Sequence, residues 1–249
     1  PTGAYGRVTD INVAPDGDVL VSQWFYDRVF VLRDGKLHTT IARQDDGQPA
    51  ANGIENGPVV VQGHPASGLV YVATAWTGEP SNNGVTVLDG AQVVAHLPTG
   101  AYPQAIAVSG STGHTYVANA LSDTVTVIDG TSVTKQISAG DYPTALGVDS
   151  THQRVYVANR QAGTVTVIDE TALTSSAEVS SGLGPMAIYV DSQAGRAYVV
   201  NHDDDTVAVI DGQSLNRVAA LDVGSTPLAI TGDPDKGLVY VAGYMSDTV

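Results

Sequence analysis

The chain of 249 residues contains no cysteine, which excludes disulfide bonds, thiolate metal sites and a cysteine nucleophile. Positive charge is scarce, since 11 Lys and Arg stand against 26 Asp and Glu and the formal net charge is −15. A surface of this charge repels phosphate groups, so nucleic acid and anionic membrane surfaces are not expected as direct partners. Long apolar runs are also missing, so the sequence predicts no membrane-spanning helix.

The sequence motifs of common catalytic and cofactor sites are missing as well. There is no Gly-x-Ser-x-Gly elbow, no phosphate-cradling loop and no dinucleotide fingerprint. Five of the six histidines are dispersed, without the spacing of a zinc site. No single motif therefore indicates a function, and the loops of the fold have to carry it.

A short motif recurs along the chain with a nearly constant period. It starts with Tyr-Val, continues with Ala or Val and closes with Asn, Thr or Gly, and its tyrosines are 45, 40, 42 and 42 residues apart. These are Tyr71, Tyr116, Tyr156, Tyr198 and Tyr240, each preceded by a proline 13 residues earlier. A period of about 40–45 residues made of short strands is typical of β-propeller blades.

Each repeat predicts a four-stranded antiparallel meander. In residues 143–179, segments 145–148 and 155–158 are apolar, segment 164–168 alternates with period 2, and a more variable fourth strand follows. In four repeats Asp-Gly separates the third and fourth strands, which predicts a tight hairpin in which both residues have positive φ.

The sequence thus predicts an all-β chain that forms a single β-propeller domain over residues 1–249. Six blades are visible, with approximate boundaries at 1–41, 42–98, 99–137, 138–179, 180–221 and 222–249. The sixth blade is incomplete, and the repeat pattern leaves room for a seventh beyond residue 249.

Residues 116–130 and their copies at 156–169 and 198–212 resemble the YVTN family of β-propeller repeats, and the resemblance covers roughly residues 58–249. The first unit, with its Asp10-Ile11 lead-in and Pro15-Asp16-Gly17, is closer to NHL or gluconolactonase-like blades. The resemblance implies an extracytoplasmic protein, secreted, periplasmic or at the cell surface. Such proteins are often binding modules and sometimes lyases or lactonases.

The candidate ligand-binding residues lie in the loops after the second strands and in the links between blades, which share one edge in a propeller. A repeat scaffold usually binds its ligand at such an edge. Both tryptophans of the chain fall there, and aromatic side chains suit stacking on sugars or on a partner's side chains. The predicted set is Trp24, Tyr26, Trp76, Tyr102, Tyr142, Arg160, His202 and Tyr244. Packing of Trp24 over the unusual first blade is an alternative.

The sequence does not firmly imply a cofactor, although a divalent cation could bind through Asp10, Glu79, His202 and Asp203. Two alternatives stay open. Asp10 could instead bond to neighbouring backbone amides, and Asp205, next to this cluster, occupies a repeated turn position where its carboxylate would accept local backbone hydrogen bonds.

The leading functional prediction is a non-enzymatic binding or scaffold module that presents an aromatic and acidic loop face to a protein or glycan partner. The alternative is a lyase or lactonase with a divalent cation at the channel mouth, acting as a Lewis acid on a cyclic ester or uronic acid. A structural surface-layer repeat, assembling through blade edges, is a third interpretation. Whether the protein is an enzyme stays open at this point.

Overall fold

The structure is a computed structural model that describes residues 8–14, 16–23, 28–42, 57–75 and 83–245. These residues form β-strands and the turns between them, arranged in six antiparallel sheets. Five sheets have four strands each, and the sixth has two. The all-β class and the four-stranded meander are therefore confirmed. In this part of the chain no helix is available to cross a membrane.

Chain order and sheet order coincide, because each strand pairs with the next one along the chain. The first three sheets consist of β1 Val8–Val13, β2 Val19–Gln23, β3 Arg28–Arg33, β4 Lys36–Ala42; β5 Pro58–Gly63, β6 Leu69–Thr74, β7 Gly84–Asp89, β8 Gln92–Pro98; and β9 Pro103–Val108, β10 Thr115–Asn119, β11 Thr124–Asp129, β12 Ser132–Ser138. The others consist of β13 Pro143–Asp149, β14 Arg154–Asn159, β15 Thr164–Asp169, β16 Thr174–Ser180; β17 Pro185–Asp191, β18 Arg196–Asn201, β19 Thr206–Asp211, β20 Asn216–Asp222; and β21 Pro227–Asp233, β22 Leu238–Gly243.

The sheets divide into two compact units. The first comprises residues 1–122 and 126–134, and the second comprises residues 123–125 and 135–249. Within each unit the first strands of successive sheets lie side by side, as β1, β5 and β9 do in the first unit and β13, β17 and β21 in the second.

The second and third strands of each complete sheet build the core. In β14 every residue from Val155 to Asn159 is buried, and in β15 so is every residue from Val165 to Ile168, which explains the continuous apolar run of the motif. The fourth strands alternate instead, as β16 buries only Val179 fully and exposes most of its other side chains. Their sequences vary because one face meets solvent.

In the second to fifth sheets the turns between first and second strands share one construction. The residue at the start of the turn accepts hydrogen bonds from amides two and three positions later, as Asp149 and Asp191 do through Oδ1 and Ser109 does through Oγ. His64 takes this place in the second sheet and accepts from Ala66 and Ser67 through Nδ1. The repeated side chain at this position is therefore structural.

The turns between third and fourth strands correct part of the prediction. Only Asp34-Gly35 forms a two-residue turn in which both residues have positive φ, 52° and 72°. In the second sheet the aspartate of the Asp-Gly pair, Asp89, ends the third strand and pairs with Gln92, so it lies outside the turn. In the fifth sheet, Asp211 likewise pairs with Asn216 and leaves a four-residue turn.

The ion pair between Asp18 and Arg33 makes the first sheet sensitive to acid. Asp18, whose side chain is 8% exposed, accepts hydrogen bonds of 2.8 and 2.7 Å from the half-exposed guanidinium. The hydrogen bond from Arg33 lowers the pKa of Asp18 below its ordinary value of 3.8, although burial opposes this. Because the folded protein favours the ionised carboxylate, its contribution is complete above the ordinary pKa and is lost as the pH falls through the folded pKa.

We therefore expect the melting temperature to fall as the pH drops below about 4, and to fall less steeply in Asp18→Asn than in the wild type. Thermal melts between neutral pH and pH 3 measure this, with the exposed Asp235→Asn as a charge-matched control. Parallel curves for the wild type and Asp18→Asn would contradict the role of this ion pair.

Candidate functional site

One edge of each sheet joins the loop after the second strand to the link that precedes the first strand. The first loop residue donates its amide to the carbonyl of the residue before the proline, at 2.9 or 3.0 Å. The five pairs are Ala75 to Gly57, Ala120 to Tyr102, Arg160 to Tyr142, His202 to Gly184 and Tyr244 to Thr226. This confirms that these loops and links share an edge, here named the loop edge.

The side chains on this fixed backbone frame differ between sheets. In the second and third sheets the position holds Ala75 and Ala120, both only 1% exposed, and the equivalent residue of the first sheet, Trp24, lies outside the described residues. In the second unit the position holds Arg160, His202 and Tyr244, each with a functional group and each at least partly accessible. A constant backbone with variable side chains is the arrangement by which repeat proteins form binding surfaces.

Three links of the loop edge have strained backbones. Tyr102, Tyr142 and Thr226 have φ of 59°, 58° and 51°, although each precedes a proline, a position that disfavours helical conformations of either hand. The other two links place Gly57 and Gly184 there, both at 65°. Left-handed non-glycine residues cost roughly 1 kcal/mol or more and concentrate at functional sites. Positive φ recurs in all five described links, so it is a feature of the repeat, and it fixes the backbone of Tyr102 and Tyr142, two predicted ligand-binding residues.

Aspartates from the preceding loop hold two of these strained links. Oδ1 of Asp123 accepts the amide of Tyr142 at 2.9 Å, and Oδ1 of Asp205 accepts the amide of Thr226 at 2.7 Å. Asp205 was expected to bond locally, but its donor lies 21 residues further on. The repeated aspartate thus joins one repeat to the next and is structural.

The acidic cluster beside His202 is also engaged by specific donors. Nδ1 of His202 lies 2.6 Å from Oδ1 of Asp203, and Oδ2 of Asp204 accepts the amide of Leu183 at 2.5 Å. A Cβ on Gly184 would collide with the carboxylate of Asp203, so this side chain packs directly over the link. The cluster forms a rigid polar rim around the exposed Leu183.

Apolar side chains stand out from the same rim. Leu183, Tyr244 and Met245 are 62%, 70% and 72% exposed. Of these, Leu183 was missed by sequence reasoning, because a lone Leu between two glycines carries no signal. Its place in the link, two residues before the repeated proline Pro185, is the information that could have identified it.

Asp10 lies in the first unit, on β1, the first strand of its sheet, and its carboxylate is used structurally. Oδ1 accepts the amide of Ile11 at 2.9 Å, and Oδ2 accepts the amide of Val61, on β5, at 3.0 Å. Asn12 and Gln62 bond beside it at 3.2 Å, along a cavity of about 370 Å³ that runs past β1, β5 and β9. Of the two alternatives for Asp10, the backbone-bonded one is observed.

Only some residues of the predicted cation site belong to the described part of the chain. Among the described residues no three His, Asp or Glu side chains come together in a way that could hold a metal ion. Asp10 belongs to the first unit, and His202 and Asp203 belong to the second. Glu79 lies outside the described residues, as do Trp24, Tyr26 and Trp76, so the cation site and these three ligand contacts stay predictions.

No protein-family model matches the chain, and no curated protein matches it in sequence. The resemblance to the YVTN repeat therefore rests on the motifs themselves.

Proposed function

We propose that this protein is a non-enzymatic binding module of the β-propeller type, whose loop edge presents Tyr142, Arg160, His202 and Tyr244 to a partner. The six meander sheets are its blades. The observation that carries the proposal is the change from buried alanine in the second and third sheets to Arg160, His202 and Tyr244 in the next three, on the same hydrogen-bonded frame. Packing does not require these larger side chains, since alanine satisfies the frame at Ala75 and Ala120.

The chemistry of the rim favours a protein over a glycan. Leu183 and Met245 offer aliphatic and thioether surface, which suits side chains of a partner better than sugar hydroxyls. The exposed carboxylates of Asp141, Asp203 and Asp204 surround this surface and match a basic patch on the partner. Binding should weaken as salt is added, because exposed charges are screened. The resemblance described above implies such a module outside the cytoplasm.

A triple variant tests the proposal. Arg160→Ala, His202→Ala and Tyr244→Ala together remove the variable side chains of three successive sheets. Ligands selected on the wild type from a displayed peptide library and from a glycan array should bind the variant at least about tenfold more weakly, since truncation of aromatic and Arg anchors commonly costs about 2 kcal/mol. Affinities are measured by biolayer interferometry.

The control changes one solvent-accessible turn residue of each of the same sheets at the opposite edge, namely Thr151→Ala, Ser192→Ala and Asp235→Ala. Both triple variants should melt like the wild type. Peptide ligands would support a protein partner, and glycan ligands alone would move the proposal to a carbohydrate. Ligands that bind the loop-edge variant unchanged, or no ligand in either selection, would refute it.

A further inference from the structure

A polar cavity of about 380 Å³ opens at the edge opposite the loop edge, between the fourth and fifth sheets. It is bordered by the turns between the first and second strands of these two sheets. The four-residue turn between the third and fourth strands of the fifth sheet also borders it. Its polar lining consists of His152, Arg154, Gln193, Asp211 and Gln213. None of these residues belongs to the binding surface proposed above, so the cavity is a separate site.

Two buried donors at this cavity have no protein partner beyond each other. Nη1 of Arg154 and the hydroxyl of Tyr156 are both buried, and neither has a hydrogen bond to a third residue among those described, while the guanidinium interacts with the hydroxyl and lowers its pKa. A Cβ on Gly212 would lie 3.1 Å from that hydroxyl. The hydroxyl of Tyr156 therefore lies against the turn between the third and fourth strands of the fifth sheet, which borders the cavity. Burial raises the pKa of Tyr156, and the guanidinium opposes this, so the phenol is a neutral donor at pH 7. Buried donors normally have partners, and their absence indicates a ligand or ordered water.

The repeat supplies an internal comparison at the junction of the second and third sheets. There Tyr71, the counterpart of Tyr156, donates its hydroxyl to the carbonyl of Gly130 at 3.0 Å. The positions of His152 and Arg154 are occupied by Ser67 and Leu69, in a turn of the same length. The fold therefore needs neither the imidazole nor the guanidinium at this place.

His152 is held in a fixed orientation by a buried carboxylate. Its Nδ1 lies 2.8 Å from Oδ2 of Asp149, whose side chain is fully buried and whose Oδ1 accepts the amides of Thr151 and His152. This contact uses Nδ1 and leaves Nε2 available to a ligand. Cε1 of the ring also lies 3.7 Å from the Cβ position of Gly195, on the cavity wall.

The other side of the cavity is acidic. Oδ1 of Asp211 accepts hydrogen bonds from the amides of Gln213 and Ser214 and from the Ser214 hydroxyl, at 3.2, 2.8 and 2.8 Å. The bond from the Ser214 amide is the main reason why the pKa of Asp211 is lower than its ordinary value. The carboxylate is therefore ionised at neutral pH and accepts hydrogen bonds from a ligand.

We propose that this cavity binds a small carboxylate that also carries hydrogen-bond donors, either a hydroxy acid or an amino acid. The ligand carboxylate pairs with Arg154, because a guanidinium matches a carboxylate in geometry and charge. Its hydroxyl or ammonium groups donate to Asp211 and to the side-chain carbonyls of Gln193 and Gln213. The volume accommodates a molecule of this size together with bound water.

The test is an NMR titration of the full chain with D-gluconate and, separately, with L-serine, at millimolar concentrations. D-Glucose, which lacks the carboxylate, is the ligand control. Arg154→Leu introduces the residue that the second sheet carries at the same position, so it should preserve the fold. We expect this substitution to weaken binding at least about tenfold, as expected for loss of a charge-assisted hydrogen bond.

Lys135→Leu is the control, since it removes one positive charge from an exposed position of β12, outside the cavity lining. His152→Ser, copied from the second sheet, should weaken binding several-fold and serves as an independent variant. Binding of gluconate alone assigns hydroxy acids, and binding of serine alone assigns amino acids. Failure of both to bind, or an equal loss in Arg154→Leu and Lys135→Leu, would overturn the proposal.

Discussion

Replacement of Ile168 by Ala should destabilise the protein by about 3 kcal/mol, the largest effect we expect from a single truncation. Ile168 lies near the end of β15 and is completely buried. The same place is filled in other sheets by Leu88, Ile128 and Ile210, all equally buried. The substitution removes apolar contacts and leaves a cavity that neighbouring strands, held by their ladders, cannot fill.

Urea unfolding followed by circular dichroism measures this loss as a lower transition midpoint with an unchanged slope. Ile11→Ala is the matched control, because it makes the same change on a strand where the side chain is 61% exposed. Its effect should stay below about 1 kcal/mol. An equal loss in the two variants would show that another part of the molecule covers Ile11 and would contradict the burial described here.

Replacement of Asn159 by Ala should cost about 2 kcal/mol, although the residue touches no core apolar cluster. Its Nδ2 donates to Oγ1 of Thr164 and Thr166 at 3.1 and 2.9 Å, and it is fully buried. Thr166 in turn accepts the amide of Gly140, so the three groups connect β14, β15 and the preceding link. Oδ1 of Asn159 has no partner among the described residues, which reduces the expected loss.

The same urea experiment applies, with Asn216→Ala as control. Asn216 is exposed at the start of β20 and donates only to the carbonyl of Ser214. We expect a change within about 0.5 kcal/mol there. If the two asparagines proved equivalent, the buried network would not explain why Asn follows the Tyr-Val motif.

Much of the fold could be predicted from the sequence, because the information is local and repeated. The prediction of strands over 145–148, 155–158 and 164–168 matches β13, β14 and β15, which extend one or two residues further. Hydrophobic period and burial are directly related, and five copies of one pattern reinforce each other. The Asp-Gly turns were less predictable, since turn type depends on the register of the paired strands rather than on the dipeptide.

The candidate sites required more than the sequence. The pattern correctly assigned Arg160, His202 and Tyr244 to the loop edge, because their distance from the motif tyrosine is constant. Asp10 and Asp205 were ambiguous, since a carboxylate that binds a ligand and one that caps an amide have the same sequence. Only the positions of Val61 and Thr226 in space showed which amides they accept.

What the sequence determined by itself is the repeat: the strands, their order, the edge at which the variable loops lie and the acidic charge of the whole. The tertiary structure decided which polar groups remain without partners. The sequence pattern gives no signal at Arg154 and Tyr156. Their difference from Leu69 and Tyr71 becomes informative only in the structure, where the turn between the third and fourth strands of a neighbouring sheet lies against them. Hydrogen-bond satisfaction is a property of distances between residues far apart in the chain, and no periodicity records it.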